Sequence, residues 1–123
     1  MRKRILGVLC SVIVFVFAGG CAVVKVNNLA IRGGDPVVYR CGNGERIVVR
    51  YYLLSDKSLG FVKVRLADGT EYTLPQVVSG SGARYSDDRE MVWWTKGETA
   101  FAEMRDQNGE WRTAYDNCRE VPE

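Results

Sequence analysis

Short β-type runs separated by turn sequences constrain the fold of this chain of 123 residues more than any other feature. Apolar and polar residues alternate with the period of two that is typical of strands with one buried face. Asp68-Gly69 and Asn108-Gly109 favour two-residue hairpin turns, and no segment has a convincing helical period. The pattern predicts an all-β domain of seven or eight short strands, a small antiparallel barrel or sandwich. The clearest strands are predicted at 37–41, 46–54, 62–66, 71–74, 91–95, 99–105 and 111–115.

The first residues have the composition of an export signal. Arg2, Lys3 and Arg4 precede an apolar run at 5–17, which is followed by small residues at 18–20. The run is too short for a typical membrane-spanning helix, and it lacks the polar residues at a period of 3.6 that a globular helix would have. We therefore expect a lipoprotein-type signal peptide at 1–20, a tether at 21–35 and a folded domain at 36–123.

Charge argues against a nucleic-acid partner. The chain has 17 basic and 15 acidic residues, but three of the basic ones lie in the signal. The exported chain therefore has 14 basic against 15 acidic residues, a net charge near −1. A nucleic-acid-binding domain would carry a basic excess.

The four cysteines differ in context. Cys10 lies in the signal, and Cys21 follows Ala-Gly-Gly as in a bacterial lipobox, where the cysteine becomes the lipidated first residue. Ala18 stands where Leu is usual, so ordinary cleavage is the alternative. Cys41 and Cys118 remain, and in an oxidising compartment they predict one disulfide. Two thiols in a chain without His cannot complete a zinc site, so neither a metal nor another cofactor is expected.

The loop sequence Ser79-Gly80-Ser81-Gly82-Ala83-Arg84-Tyr85 and the later Lys96 are the candidate functional residues. Catalysis by either serine needs a general base within hydrogen-bond reach, and the chain has no His. Lys96, next to Gly97 at a strand end, is expected to be exposed, whereas a Ser–Lys dyad needs a buried lysine of lowered pKa. The chain is therefore not expected to be an enzyme.

Binding fits the same residues better. Gly80 and Gly82 allow the backbone to approach a partner closely, and the serine hydroxyls are compact donors and acceptors. Tyr85 offers an aromatic ring with a polar tip, and Lys96 suits an anionic target. A flexible hairpin loop beside a solvated lysine is the alternative interpretation.

The chain also resembles a known family, the bacterial lipoprotein inhibitors of c-type lysozyme, which comprise membrane-bound MliC and periplasmic PliC proteins. Trp93 departs from the pattern, because Phe is common there. The resemblance covers about residues 37–118 and rests on these pieces in order: Tyr39-Arg40-Cys41 with Gly42 and Gly44, Leu74-Pro75, Ser79-Gly80-Ser81-Gly82-Ala83-Arg84-Tyr85, Trp93-Trp94-Thr95-Lys96-Gly97 with Ala100, and Cys118.

The resemblance implies a β-barrel of about eight strands that blocks the active-site cleft of c-type lysozyme, an enzyme that works with two carboxyl groups. Lys96 would pair with one ionised carboxylate, and Ser79 or Ser81 would form a hydrogen bond to the other. Tyr85 would support the loop or stack at its rim. The implied lysozyme-binding residues are Ser79, Gly80, Ser81, Gly82, Tyr85 and Lys96.

Location follows from the signal. Lipidation of Cys21 would anchor the chain in the membrane, and Ala22 after it favours the outer membrane, facing the periplasm; a soluble periplasmic form is the alternative.

Two other functions stay open, namely an envelope barrel that binds a small apolar ligand and a purely structural envelope lipoprotein.

Overall fold

The computed structural model of the protein describes residues 19–20 and 28–122. Each strand pairs antiparallel with the next, and the last pairs with the first, so the sheet closes into a barrel. This confirms the all-β prediction and selects the barrel over the sandwich. The strands are β1 (Ile31–Arg40), β2 (Arg46–Leu54), β3 (Gly60–Arg65), β4 (Glu71–Val77), β5 (Ala83–Ser86), β6 (Met91–Lys96), β7 (Thr99–Arg105) and β8 (Trp111–Val121).

Alternation along the strands fills the barrel centre. In β2 and β3 every second side chain points inward, which buries Ile47 and Val49 against Val62 and Val64. Closure of the sheet removes exposed strand edges, and a barrel of eight strands is just wide enough for side chains to fill. Those with no exposed surface include Ile47, Val49, Val62, Val64, Leu74, Met91, Trp93 and Ala102. Such packing disfavours the apolar-ligand alternative, which needs an open interior.

Three aromatic side chains form a hydrogen-bonded group across the core. The indole Nε1 of Trp93 donates to the Tyr51 hydroxyl at 3.0 Å, and the hydroxyls of Tyr51 and Tyr39 lie 2.8 Å apart. Burial, and then the hydrogen bond to Tyr39, raise the pKa of Tyr51. Tyr51 is therefore neutral at ordinary pH, and its hydroxyl satisfies a buried indole N–H that would otherwise cost about 1–3 kcal/mol.

The predicted disulfide between Cys41 and Cys118 is present, and both residues are buried. It joins the end of β1 to β8 across 77 positions of sequence. Cys118 was expected after the last strand, but β8 continues through it to Val121. The inward and outward alternation of β8 is interrupted before Cys118, because Ala100 pairs with Cys118 while Ala102 pairs with Tyr115. This register shift is a β-bulge, in which Asn117 has a φ of 47°.

The folded part begins earlier than predicted. Residues 31–35, which we assigned to the tether, belong to β1 and pair with the end of β2. A register shift between Gly33 and Pro36 hides the strand period, and both Gly33 and Gly34 have positive φ. Arg50 Nη1 fixes this irregular segment by donating to the Gly34 carbonyl at 2.6 Å. Residues 21–27, with Cys21, and residues 1–18 of the signal lie outside the described residues.

Candidate functional site

The Ser/Gly loop and Lys96 lie at the same end of the barrel. The loop at 78–82 connects β4 to β5, and a two-residue turn at 97–98 connects β6 to β7. Ala83, the first residue of β5, pairs directly with Thr95 in β6. The loop residues just before Ala83 therefore lie beside Lys96, which follows Thr95. Strand register therefore brings together two segments that are separated in sequence.

The loop has one obligatory glycine. Gly82 has a φ of +64°, and a Cβ there would lie 2.0 Å from the Thr95 carbonyl oxygen. The loop backbone thus rests against β6 at a distance that only glycine permits. Ser79 strengthens the bend, because its Oγ donates to the Gly82 carbonyl oxygen at 3.1 Å. Gly80, by contrast, has open space around its Cα.

Trp94 links the loop to the lysine, a role that sequence reasoning missed. Its indole Nε1 donates to the Ser81 carbonyl oxygen at 2.9 Å, and Lys96 Nζ lies 4.4 Å from the centre of the indole ring. Phe101 extends this aromatic surface, with its ring 5.6 Å from that of Trp94. Positions 94 and 96 share one face of a strand, and that spacing could have indicated the contact. Trp93 takes the opposite face and is buried.

The two groups best placed to contact a partner are exposed. Ser81 and Lys96 both lie at the surface. The Thr99 hydroxyl donates to the Lys96 carbonyl oxygen at 3.2 Å, which fixes the backbone of the turn. Over the described part of the chain, the Ser81 hydroxyl has no hydrogen-bond partner, whereas the Ser79 hydroxyl already donates within the loop.

Tyr85 does not lie at the rim of the loop. It is in β5, only 9% exposed, with its ring edge-on to Tyr51 at 5.9 Å. Tyr85 pairs with Trp93 in the register of β5 and β6, and both side chains point into the core. The expectation that Tyr85 contacts a partner is therefore not supported by its position. Its burial fits the other expectation, a support beneath the loop.

Metal-ligand geometry is not found in residues 28–122, where no three His, Cys, Asp or Glu side chains gather as ligands would. The same part of the chain contains no helix long and apolar enough to cross a membrane.

Replacing Gly82 with alanine should destabilise the protein by about 1–3 kcal/mol, because the residue would keep a positive φ and its Cβ would clash with Thr95. Gly80→Ala is the matched control, since its φ is not positive and no atom lies within 4 Å of the added Cβ. Denaturant unfolding measures both. A Gly80 variant that loses as much stability as the Gly82 variant would contradict this account of the loop.

Comparison with known proteins agrees with this architecture. The family model of the membrane-bound lysozyme-inhibitor of c-type lysozyme, MliC, matches residues 39–111. The curated membrane-bound lysozyme inhibitor of C-type lysozyme from Pseudomonas aeruginosa is 34% identical over 110 residues, covering 81% of this chain and 84% of the relative. A protein of the same name from Yersinia enterocolitica is 36% identical over 100 residues, covering 81% of this chain and 70% of the relative.

A solved structure has the same fold. The crystal structure of Pseudomonas aeruginosa MliC in complex with hen egg white lysozyme aligns with a TM-score of 0.54 and 22% identity, covering 98% of this chain and all of that one. The matched family is one of inhibitors and not of enzymes, in agreement with the prediction from the missing histidine. The family model matches more than half of the chain, and both relatives are more than 30% identical to it. This chain therefore belongs to the MliC family of membrane-bound lysozyme inhibitors.

Proposed function

We propose that this protein inhibits c-type lysozyme by inserting the loop 79–82 and Lys96 into the active-site cleft. The names of its relatives support the partner. The observation that carries the mechanism is the contact of Trp94 with both segments, through a hydrogen bond to Ser81 and a ring face against Lys96. One side chain thereby contacts both the Ser81 backbone and the Lys96 ammonium group at one exposed end of the barrel.

Lys96 supplies the charge that the cleft attracts. A c-type lysozyme has a carboxyl group of raised pKa and a second carboxylate that stays ionised. An ammonium group placed against the ionised carboxylate, in a cleft that excludes water, forms a charge-assisted hydrogen bond. The Trp94 ring lowers the cost of ordering the lysine, because a cation–π contact already favours one position of Nζ.

Ser81 is the better candidate for the second contact. The Ser79 proton is engaged with the Gly82 carbonyl, and Ser79 is partly buried. The Ser81 hydroxyl is exposed, and its backbone is fixed by Trp94, so it can reach a partner without breaking an internal bond. We infer that Ser81 forms the hydrogen bond to the other lysozyme carboxyl group and that Ser79 shapes the loop.

The glycines and the core make this insertion possible. Gly80 and Gly82 keep the loop thin, so it can enter a cleft shaped for a sugar chain. Tyr85 supports the loop from within the barrel, where it contacts Tyr51. Rigid presentation matters because each side chain or loop ordered on binding subtracts from the affinity.

Membrane attachment through Cys21 is part of the same proposal. The relatives are named membrane-bound, and Cys21 follows a signal-like segment. Lipidation there would place the domain on the periplasmic face of the outer membrane, with residues 22–30 as the connection to β1. The mass of the exported protein measures this, because acylation adds hydrocarbon chains to the new amino terminus.

Titration of c-type lysozyme with residues 22–123 tests the proposed activity. We expect lytic activity to fall linearly with added protein and to vanish near one equivalent, because a plug that fills the cleft allows no turnover. The disulfide must be verified by mass first. Full lysozyme activity in the presence of excess, correctly bridged protein would sink the proposal.

A further inference from the structure

A band of basic side chains covers the outer wall of the barrel across four neighbouring strands. We call it the basic wall. The basic side chains of β2 and β3 point outward, because Ile47, Val49, Val62 and Val64 alternate with them and point inward. The basic wall consists of Arg119 from β8, Arg40 from β1, Arg46 and Arg50 from β2, and Lys63 and Arg65 from β3.

The register of the strands places like charges opposite one another. Arg40 pairs with Arg46 on one side and with Arg119 on the other, and Arg50 pairs with Lys63. Like charges at directly opposed positions destabilise a sheet. Stability of the fold therefore gives no reason for this arrangement, whereas an anionic partner would.

Carboxylates lie beside at least three of the six basic side chains of the wall. Glu71 lies 3.4 Å from Lys63 and 3.2 Å from Arg65, and Glu98 lies 3.8 Å from Arg119. Six of the 14 basic residues of the exported chain thus lie on one wall. Seven of its 15 acids instead occupy the four turns at the far end of the barrel, namely Glu45, Asp68, Asp87, Asp88, Glu90, Asp106 and Glu110.

The basic wall also contains a shallow hollow, in which one carboxylate, Glu71, lies among basic side chains. Its volume is about 110 Å³. Arginine presents a planar fork of donors that matches phosphate oxygens, and lysine adds a point charge. The hollow is lined by Arg46, Val48, Arg50, Lys63, Arg65 and Glu71.

We propose that the basic wall docks on the anionic phospholipid surface of the membrane that holds the protein. The proposed acylation site, Cys21, lies only ten residues before β1 begins at Ile31. Ten residues span at most about 35 Å. The barrel is thereby kept near the bilayer, where lipid charge acts within about 8 Å of the surface at physiological salt. Charge complementarity and proximity both identify the phospholipid surface as the occupant.

Docking through the β2 and β3 part of the wall leaves the inhibitory site free, whereas Arg119 lies beside Glu98 in the turn after Lys96. In a closed barrel of eight strands β2 lies opposite β6, the strand that ends at Lys96. Contact of β2 and β3 with the membrane therefore turns the loop 79–82 and Lys96 away from the lipid. The inference concerns a second surface, and it holds whether or not the proposed lysozyme contacts are correct.

Vesicle co-sedimentation tests the proposal with residues 22–123, which lack the acyl group. The protein should bind phosphatidylcholine vesicles that contain about 30% phosphatidylglycerol, but not phosphatidylcholine alone, and it should dissociate as salt approaches about 1 M. Lys63→Gln with Arg65→Gln should weaken binding about 30-fold, roughly fivefold for each lost charge. The matched control is Arg89→Gln with Arg112→Gln, which removes two charges elsewhere and should change binding less than twofold.

Three results would overturn the proposal. The first is no binding of the unaltered protein to anionic vesicles. The second is an equal loss in both double variants, which would make net charge and not the wall responsible. The third is stronger binding to soluble polyphosphate than to vesicles at equal phosphate concentration, which would make the occupant a soluble polyanion. Lysozyme inhibition by the Lys63/Arg65 variant should stay unchanged, so failure here and failure of the inhibitory mechanism are distinguishable.

Discussion

Lys96→Ala should raise the dissociation constant of the complex with c-type lysozyme by roughly 30-fold to several thousand-fold, equivalent to about 2–5 kcal/mol. Loss of the ammonium group leaves an ionised carboxylate buried beneath the inserted loop without a partner. The fold should be unaffected, because Lys96 is exposed. Isothermal titration calorimetry with lysozyme measures the constant, and denaturant unfolding verifies that stability changes by less than about 0.5 kcal/mol.

Two further variants separate the possible causes. Lys96→Met removes the charge but keeps an apolar stem against Trp94, so it should lose nearly as much affinity as Lys96→Ala. Lys63→Ala removes a lysine from the outer surface of β3 and should bind lysozyme normally. If Lys63→Ala weakened binding as much as Lys96→Ala, long-range charge and not a contact in the cleft would be responsible.

Removal of the disulfide by Cys41→Ser with Cys118→Ser should lower the free energy of unfolding by up to about 4–5 kcal/mol, according to the loop-entropy model. The bridge spans 77 positions of sequence, so its loss releases a large part of the unfolded chain. It also secures the joint between β1 and β8. Over residues 28–122 three residue pairs join these strands, namely Val38 with Val121, Tyr39 with Glu120 and Arg40 with Arg119.

Guanidinium unfolding of the double variant beside the reduced unaltered protein measures this effect. The double variant should unfold at or below the midpoint of the reduced protein, because both lack the covalent link and the variant also buries two serine hydroxyls. A midpoint for the double variant equal to that of the oxidised protein would show that strand pairing alone closes the barrel. Inhibition by the variant should weaken as well, because a loosened barrel presents the loop less rigidly.

The sequence predicted most strands with regular alternation, missed β5 and misjudged the two strands that close the barrel. The run Thr99–Arg105 was predicted with its observed bounds. Both β1 and β8 are longer than predicted, because each contains a bulge, between Gly33 and Pro36 in one and near Asn117 in the other. A bulge shifts the period of two by one residue, so a strand that contains it resembles a strand followed by a loop.

The site could be found only in part from sequence. Composition and the family resemblance identified the Ser/Gly loop and Lys96 as candidates, and strand register places them side by side. The link through Trp94 depends on where an indole N–H points, which no sequence pattern specifies. Tyr85 lies inside the barrel and not at the loop rim, because the loop ends at Gly82 and the tyrosine follows the inward and outward alternation of β5.

The most direct test of loop insertion is the distance between Lys96 Nζ and the nearest catalytic carboxylate oxygen of lysozyme in a crystal structure of the complex. We predict about 2.7–2.9 Å, the length of a charge-assisted hydrogen bond, with the Ser81 hydroxyl against the other carboxyl group. A complex in which the loop 79–82 lies outside the cleft, with Lys96 in solvent and the two carboxyl groups uncovered, would contradict the mechanism.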